Sequence, residues 1–388
     1  MIILSTPNVW GQNSNHIRQP AGLTTSEIDA GWIALFDGST LFGWKIESDA
    51  DWQVKNQSIV VTSGKPGLLR TTSQFDDFLL SLEFKSPQDT NSGIFIRTSP
   101  RPRNPGGDCY EVNLASAGNP FPTGSLVDLK RAAPVDHASL TDRWNHLLVS
   151  ASGNELKIKL NDKLINQFTD RKSLGRGYIG LQLNAGEISF RNIKLKPVAL
   201  NSMFNGTNLN GWKTQQKLDS EFGVTENGEL KILGGRGQIE SESEFADFIF
   251  SMKCKTNHEK LNSGVFFRCI PSQLMNGYES QIQNGFRDRD RTQPEDCGTG
   301  GIFRRKNARY VNADDLIWFS KTIVAAGPHV SVWVNGYQVV DWSDTRKPDP
   351  NPRRGRRLEK GSIIFQGHDP TTDILIKDIQ AREIRSRR

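Results

Sequence analysis

One ordered set of short motifs occurs twice in this chain, and that duplication constrains the fold more than any other feature. Leu35-Phe36-Asp37-Gly38 with Gly43-Trp44-Lys45 returns as Met203-Phe204-Asn205-Gly206 with Gly211-Trp212-Lys213, so that Trp44 and Trp212 stand 168 residues apart. Phe75-Asp76-Asp77-Phe78 matches Phe245-Ala246-Asp247-Phe248, and Asn91-Ser92-Gly93-Ile94-Phe95-Ile96-Arg97 matches Asn262-Ser263-Gly264-Val265-Phe266-Phe267-Arg268. Tyr110-Glu111 then matches Tyr278-Glu279, Thr123-Gly124 matches Thr299-Gly300, and Gly180-Leu181-Gln182 matches Ile364-Phe365-Gln366. Kept order over this many motifs means a tandem duplication. The boundary falls between Pro197 and Ser202. This predicts a first domain over residues 31–198 and a second over 199–388, behind a polar leader over 1–30 that reads as disordered.

Each half is rich in strands. Phe78–Lys85, Glu155–Leu160 and His329–Val334 alternate or concentrate β-branched and aromatic residues. Asn335-Gly336, between two apolar runs, marks a type I′ hairpin, whose central residues both need positive φ. No long amphipathic helix stands out, and 35 glycines with 18 prolines provide many turns. About 170 residues of short strands per half fit two antiparallel sheets packed face to face. The expected fold class is therefore all-β, two tandem jelly-roll β-sandwiches.

Several function classes drop out. No window has the roughly 18 apolar residues of a membrane helix, so no membrane span is expected. The net charge of +6, from 49 basic and 43 acidic residues, gathers partly in Arg353-Arg354-Gly355-Arg356-Arg357 and Arg385 to Arg388. These read as a solvated loop and a ragged tail, not as the spread basic face that nucleic-acid binding needs. Cys109, Cys254, Cys269 and Cys297 lack CxxC spacing and read as free buried thiols, although Cys254 and Cys269 end two strands expected to form a hairpin, which makes a bridge conceivable. The start Met1-Ile2-Ile3-Leu4 has no basic segment before it, so a signal peptide is not demonstrable. Nucleophile-elbow, phosphate-loop, HExxH and dinucleotide signatures are missing. The stretch Asp288, Asp290, Glu295, Asp296 lacks the EF-hand spacing and alternates with Arg287, Arg289 and Arg291, so it reads as a self-paired charged loop.

Strand parity then gathers a polar surface. In the first half Asn91, Gly93, Phe95 and Arg97 share a face, as do Glu111 with Asn113 and Gln182 with Asn184. In the second, Asn262, Gly264, Phe266 and Arg268 line up, then Glu279, Gln281 and Gln283, and finally Ile364, Gln366 and His368. Amides, carboxylates and guanidiniums beside an aromatic ring suit a sugar, and a cleft between the two like domains is one place for it. The plainer alternative is a set of cross-strand pairs, each contributing a few tenths of a kcal/mol.

Taken together, Leu35-Phe36-Asp37-Gly38 to Trp44, Asn91-Ser92-Gly93 to Arg97, Tyr110-Glu111, Trp144-Asn145, Gly180-Leu181-Gln182 and Phe190-Arg191-Asn192-Ile193 resemble the 3-keto-disaccharide hydrolase domain, a family common in Planctomycetes and Bacteroidetes. The resemblance covers both halves. It implies concanavalin- or laminarinase-like jelly rolls and cleavage of 3-keto-glycosides, by removal of the C2 proton, elimination at C1–O and hydration. It also implies an exported bacterial protein, periplasmic or extracellular. Glu279 or His368 would be the base and Arg268 the enolate-stabilising group, with a divalent metal as the alternative to Arg268. Substrate-binding positions would be Asn262, Phe266, Gln281 and Gln366, with Asn91, Arg97, Glu111, Asn113 and Gln182 in the first half. The first half departs from the family pattern at Cys109, Asn113 and Leu183-Asn184. The second keeps Gly277-Tyr278-Glu279 and Gln366-Gly367-His368 but lacks the Trp-Asn pair, so it is the better equipped of the two. A non-catalytic lectin-like module accounts for the same polar face, and a purely structural module needs that face to be cross-strand pairing alone.

Overall fold

A computed structural model describes residues 15–215 and 218–387. Each repeat is a β-sandwich of one eight-stranded and one five-stranded antiparallel sheet. In the second domain the larger sheet runs Glu221–Val224, Leu230–Leu233, Asp373–Glu383, Phe248–Thr256, Phe319–Ala326, His329–Val334 and Tyr337–Ser343, with Asn201–Ser202 paired onto Asp373–Glu383. The smaller runs Trp212–Thr214, Gly237–Phe245, Gly361–Gly367, Ser263–Cys269 and Tyr278–Ile282. The first domain has the same two sheets in the same order. Both domains are jelly-roll sandwiches.

Alternation explains which face goes inward. In Phe248–Thr256 the side chains of Phe248, Phe250, Met252 and Cys254 enter the core, together with Ile239, Val265, Phe267, Ile363 and Phe365 from the facing sheet. At roughly 25 cal/mol per Å² of apolar area, burial on this scale is the main force closing the sandwich. The Asn335-Gly336 turn has φ of 48° and 71°, as a type I′ hairpin requires. All four cysteines are buried and free. The hairpin expected to join Cys254 and Cys269 does not form, because Phe248–Thr256 and Ser263–Cys269 belong to different sheets.

The two domains share a continuous core. Ile249, Val324, Ala326 and Trp333, on the outer face of the second domain's large sheet, pack into the first domain's cluster. Trp333 is fully buried, lies 6.4 Å from the Phe75 ring and donates its indole N–H to the Ala34 carbonyl at 2.8 Å. Residues 15–30 belong to this assembly instead of forming a disordered leader. The Arg18 backbone N–H donates to Asn312 Oδ1 at 2.7 Å, Tyr310 donates its hydroxyl proton to the His16 carbonyl, Leu23 is buried, and Thr24 caps a short helix over Thr25–Asp29 with Glu27 completing a capping box. Residues 1–14 of the expected leader lie outside the described residues. The basic C-terminus likewise docks: Arg385 pairs with Asp76 and Asp77, and Arg387 donates to the Arg97 and Asp108 carbonyls.

Arg97 and Arg268 depart from the parity reading. Each has positive φ, 46° and 49°, at a break in strand register. The bulge flips both side chains away from the polar face into the end of the sandwich, where they are fully buried. Arg97 donates to the Asp76 and Gly153 carbonyls and pairs with Asp77 at 2.8 Å, while Arg268 donates to the Ala246 and Gly327 carbonyls and pairs with Asp247 at 3.0 Å. The corner carboxylates also pair with arginines from the other domain, two at Asp77, Arg382 and Arg385, and one at Asp247, Arg176. Removing Asp77 leaves Arg97 buried with its charge unpaired, which costs about 3–5 kcal/mol. Asp77→Ala is therefore expected to lower the thermal midpoint strongly; a loss below about 1 kcal/mol by chemical denaturation, ordinary for a surface site, would refute this account.

Candidate functional site

On the small sheet of the second domain, the face turned away from the core carries alternate residues of four strands. Gln238 and Glu240 come from Gly237–Phe245, Phe266 from Ser263–Cys269, Glu279 and Gln281 from Tyr278–Ile282, and Ile364 and Gln366 from Gly361–Gly367. Phe266, Ile364 and Met275 make an apolar floor. The loop carrying Met275 is folded over this face by Gln238 and Glu240: Met275 N–H donates to Gln238 Oε1 at 2.6 Å and Ser272 N–H donates to Glu240 at 3.2 Å. Above the floor opens a cavity of about 550 Å³, walled by Asn262, Glu279, Gln281, Asp296, Gln366 and His368 and by Arg236, Arg304, Arg305 and Arg353. It belongs to the second domain alone. The domain contact instead uses the outer face of the opposite sheet, so the expected inter-domain cleft is not where this site lies.

Glu279 lines this cavity from the edge strand of the small sheet. Burial is the largest influence on its carboxyl and, with the Asp296 charge beside it, pushes its pKa up to about 7, although Lys321, Arg353 and Arg304 pull the other way. Lys321 is wholly buried beneath the same strand, where Nζ donates to the Ser280 and Gln281 carbonyls at 2.8 and 2.9 Å, and burial lowers its pKa to about 7. Gln281 Nε2 and Asn262 Nδ2 both donate to Asp296 Oδ2. Their side-chain oxygens, and that of Gln366, remain buried without a protein donor. Three unpaired acceptors on one wall suit a ligand rich in hydroxyl donors. His368 stands half-exposed at the rim with Nδ1 2.8 Å from Asp369 Oδ2.

The second domain therefore gathers six of the sequence-predicted residues: Glu279, His368, Asn262, Phe266, Gln281 and Gln366. Arg268 is not among them, since its bulge sends it to the domain corner, and Arg97 departs from the first-half set in the same way. Of that set, Glu111 and Gln182 meet over Gly93, and burial raises the Glu111 carboxyl to about 7 as well. Asn113, however, donates to the Phe121 carbonyl of its own loop, and Asn91 is half-buried at the strand start.

The positive wall was not legible in the strand pattern. Arg353, in a run that the sequence marks as a solvated loop, reaches the cavity and donates to the Met275 carbonyl at 2.6 Å. Asp296, expected in a self-paired loop, instead accepts from Asn262 and Gln281 at the cavity wall. The only signals in the sequence were two lengths: Thr299 follows Glu279 by twenty residues where Thr123 follows Glu111 by twelve, and Ile364 follows Ser343 by twenty-one where Gly180 follows Thr169 by eleven. These longer loops deliver Asp296 and Arg353. Among the described residues no three His, Cys, Asp or Glu side chains gather as a metal site. Asp290 caps its own turn at Thr292, and Glu295 pairs with Lys260 at 2.9 Å, so these donors do not fit a divalent ion.

A profile of the 3-keto-alpha-glucoside-1,2-lyase-like domain matches residues 31–196 and again 199–384. The chain belongs to this family. Membership gives it a carbohydrate-related function, and the two matches coincide with the two repeats. None of the curated proteins compared matches the chain. Among solved structures, two candidate glycosyl hydrolases of Parabacteroides distasonis are similar, one at 20% identity over 45% of this chain and 98% of its own with a TM-score of 0.40, the other at 22% over 47% and 98% with a TM-score of 0.37. The Bacillus subtilis carbohydrate-binding module CBM66 is similar at 17% identity over 40% of this chain and 95% of its own, with a TM-score of 0.31.

Gly264 gives the Glu279 carboxylate its place. A Cβ added there would stand 2.8 Å from Glu279 Oε1. Gly264→Ala is expected to fold, because the obstructing group is the end of a side chain, but to displace the carboxylate and shift its titration, followed by carbon-13 NMR, from the wild-type midpoint near 7. An unchanged midpoint would mean that Gly264 does not set the position of that group.

Proposed function

We propose that the second-domain cavity cleaves 3-keto-glucosides, with Glu279 as the general base. The observation that carries this reading is a carboxyl held near neutrality by burial, in a cavity walled by unpaired amide acceptors, in a chain of this family. A base works best when its pKa lies close to the working pH.

The C3 ketone acidifies the C2 proton. Glu279 takes that proton, and the C2–H electron pair delocalises onto the ketone oxygen as an enolate. The enolate returns its electrons, the C1–O bond breaks, a C1=C2 double bond forms, and the departing alkoxide receives a proton from Glu279 or, at the rim, from His368. Water then adds across C1=C2 to give the free 3-keto sugar. Arg268 has no access to this reaction. Arg353, held by the Met275 carbonyl, supplies the positive group for the enolate oxygen. Asn262, Gln281 and Gln366 accept hydrogen bonds from the sugar hydroxyls, and Phe266 offers an apolar surface to the ring. In the first domain, Glu111 and Gln182 keep the carboxyl–amide pair without the two longer loops.

The test is release of free 3-keto sugar from a 3-keto-α-glucoside by the purified chain. Glu279 must be ionised to accept the proton, so kcat/KM is expected to rise with pH through about 7 and then level off. Glu279→Gln should lower turnover about 10²–10⁴-fold while sugar binding persists. Near wild-type turnover in that variant would remove Glu279 from the role, and sugar binding by the wild type without release would favour the lectin-like reading.

A further inference from the structure

The duplication provides an internal control for the charge of the cavity. Arg304 and Asp128 occupy the same place in the two repeats: each follows a Thr-Gly step, each has positive φ, 57° and 60°, and each lies in a turn closed by the same backbone pairs, Ile302 with Lys306 and Leu126 with Lys130. The first domain carries an acid there and the second a base. Arg305 corresponds to Leu129, and Arg236, just before Gly237, corresponds to Pro66 before Gly67. The shared fold therefore has no need of a basic residue at any of the three.

The acids acting on these arginines are few: Glu279 and Asp296 share the cavity, where Arg304 bears on the Glu279 charge, and Asp344 bears on Arg305. Among the described residues none of the three makes an ion pair, and Arg305 donates only to the carbonyls of Arg304 and Arg353. Arg236 and Arg304 are exposed on the wall of the cavity, above the buried and unpaired oxygens of Gln281 and Gln366. An enolate is one charge on one oxygen, which Arg353 can meet alone. Three further guanidiniums around a pocket of polar acceptors fit a second, permanent negative charge on the ligand, with the planar fork suited to carboxylates and to sulfur or phosphorus oxyanions.

We propose that the second-domain cavity takes a sugar bearing a negatively charged substituent, a carboxylate, sulfate ester or phosphate ester, and that Arg236, Arg304 and Arg305 hold that group. This rests on the reading of the cavity as the sugar site, and it adds the class of substrate. The hydroxyls meet the amide wall while the anion meets the guanidinium wall, so the two walls orient the ring with C2 toward Glu279.

Calorimetric titration of the full chain with methyl α-glucoside, methyl α-glucuronoside, glucose 6-sulfate and glucose 6-phosphate tests it. At least one anionic probe is expected to bind about tenfold or more tighter than the neutral one, about 1.4 kcal/mol. That preference should shrink as salt rises, because exposed charges are screened over about 10 Å at 0.1 M. Which probe wins identifies the substituent. Arg304→Asp combined with Arg236→Ser, which places an acid where the first domain has one, should erase the preference, with the thermal midpoint confirming that the variant folds. Equal binding of neutral and anionic probes, no binding of any anionic probe, or a preference that survives the double variant would overturn the proposal. Release of 3-keto sugar without charge preference would leave the catalytic reading standing and sink this one; charge preference without release would do the reverse.

Discussion

A buried arginine that closes the end of each sandwich is the contact on which the rest of the molecule depends. Arg97 and Arg268 leave the strand alternation through a left-handed residue at a bulge and span the two sheets, joining Asp77 and Asp247 and the carbonyls of Gly153 and Gly327. The same aspartates accept the Gly153 and Gly327 N–H groups at 2.9 and 2.7 Å. A buried guanidinium is tolerable only when its charge and its donors are nearly all matched, and this corner does that twice. The corners also bind arginines of the other domain, which ties domain closure to domain pairing.

With both guanidiniums withdrawn to the corners, the polar face of the small sheet is left to carboxyl and amide groups. In both repeats a glutamate is pressed over a glycine beside a glutamine of the central strand, and burial raises both carboxyls to about 7. The common fold thus makes a poised acid–base group in each domain. The repeats differ in what surrounds it. The second domain adds Lys321 under the strand where the first has Leu147, and two longer loops bring Asp296 and Arg353 to the wall. The second copy carries this pocket and also inserts Trp333 into the core of the first, while its Asn312 holds the N-terminal segment.

The sequence by itself determined the duplication, the all-β class, the type I′ turn at Asn335-Gly336 and the shared face of Asn262, Phe266, Glu279, Gln281 and Gln366. Those are consequences of motif order and period-two alternation, which are local and hold wherever a strand stays regular. His368 came with them because it follows the Gly361–Gly367 strand directly. Tertiary structure decided the rest. A single left-handed residue reverses parity, so Arg97 and Arg268 went to the opposite side from the one their spacing implied. The cavity's positive wall comes from loops whose path depends on contacts distant in sequence, such as Arg353 with the Met275 carbonyl. Whether residues 15–30 and the basic C-terminus pack was decided by surfaces that exist only once both domains have folded, because Asn312, Tyr310, Asp76 and Asp77 meet them from far along the chain.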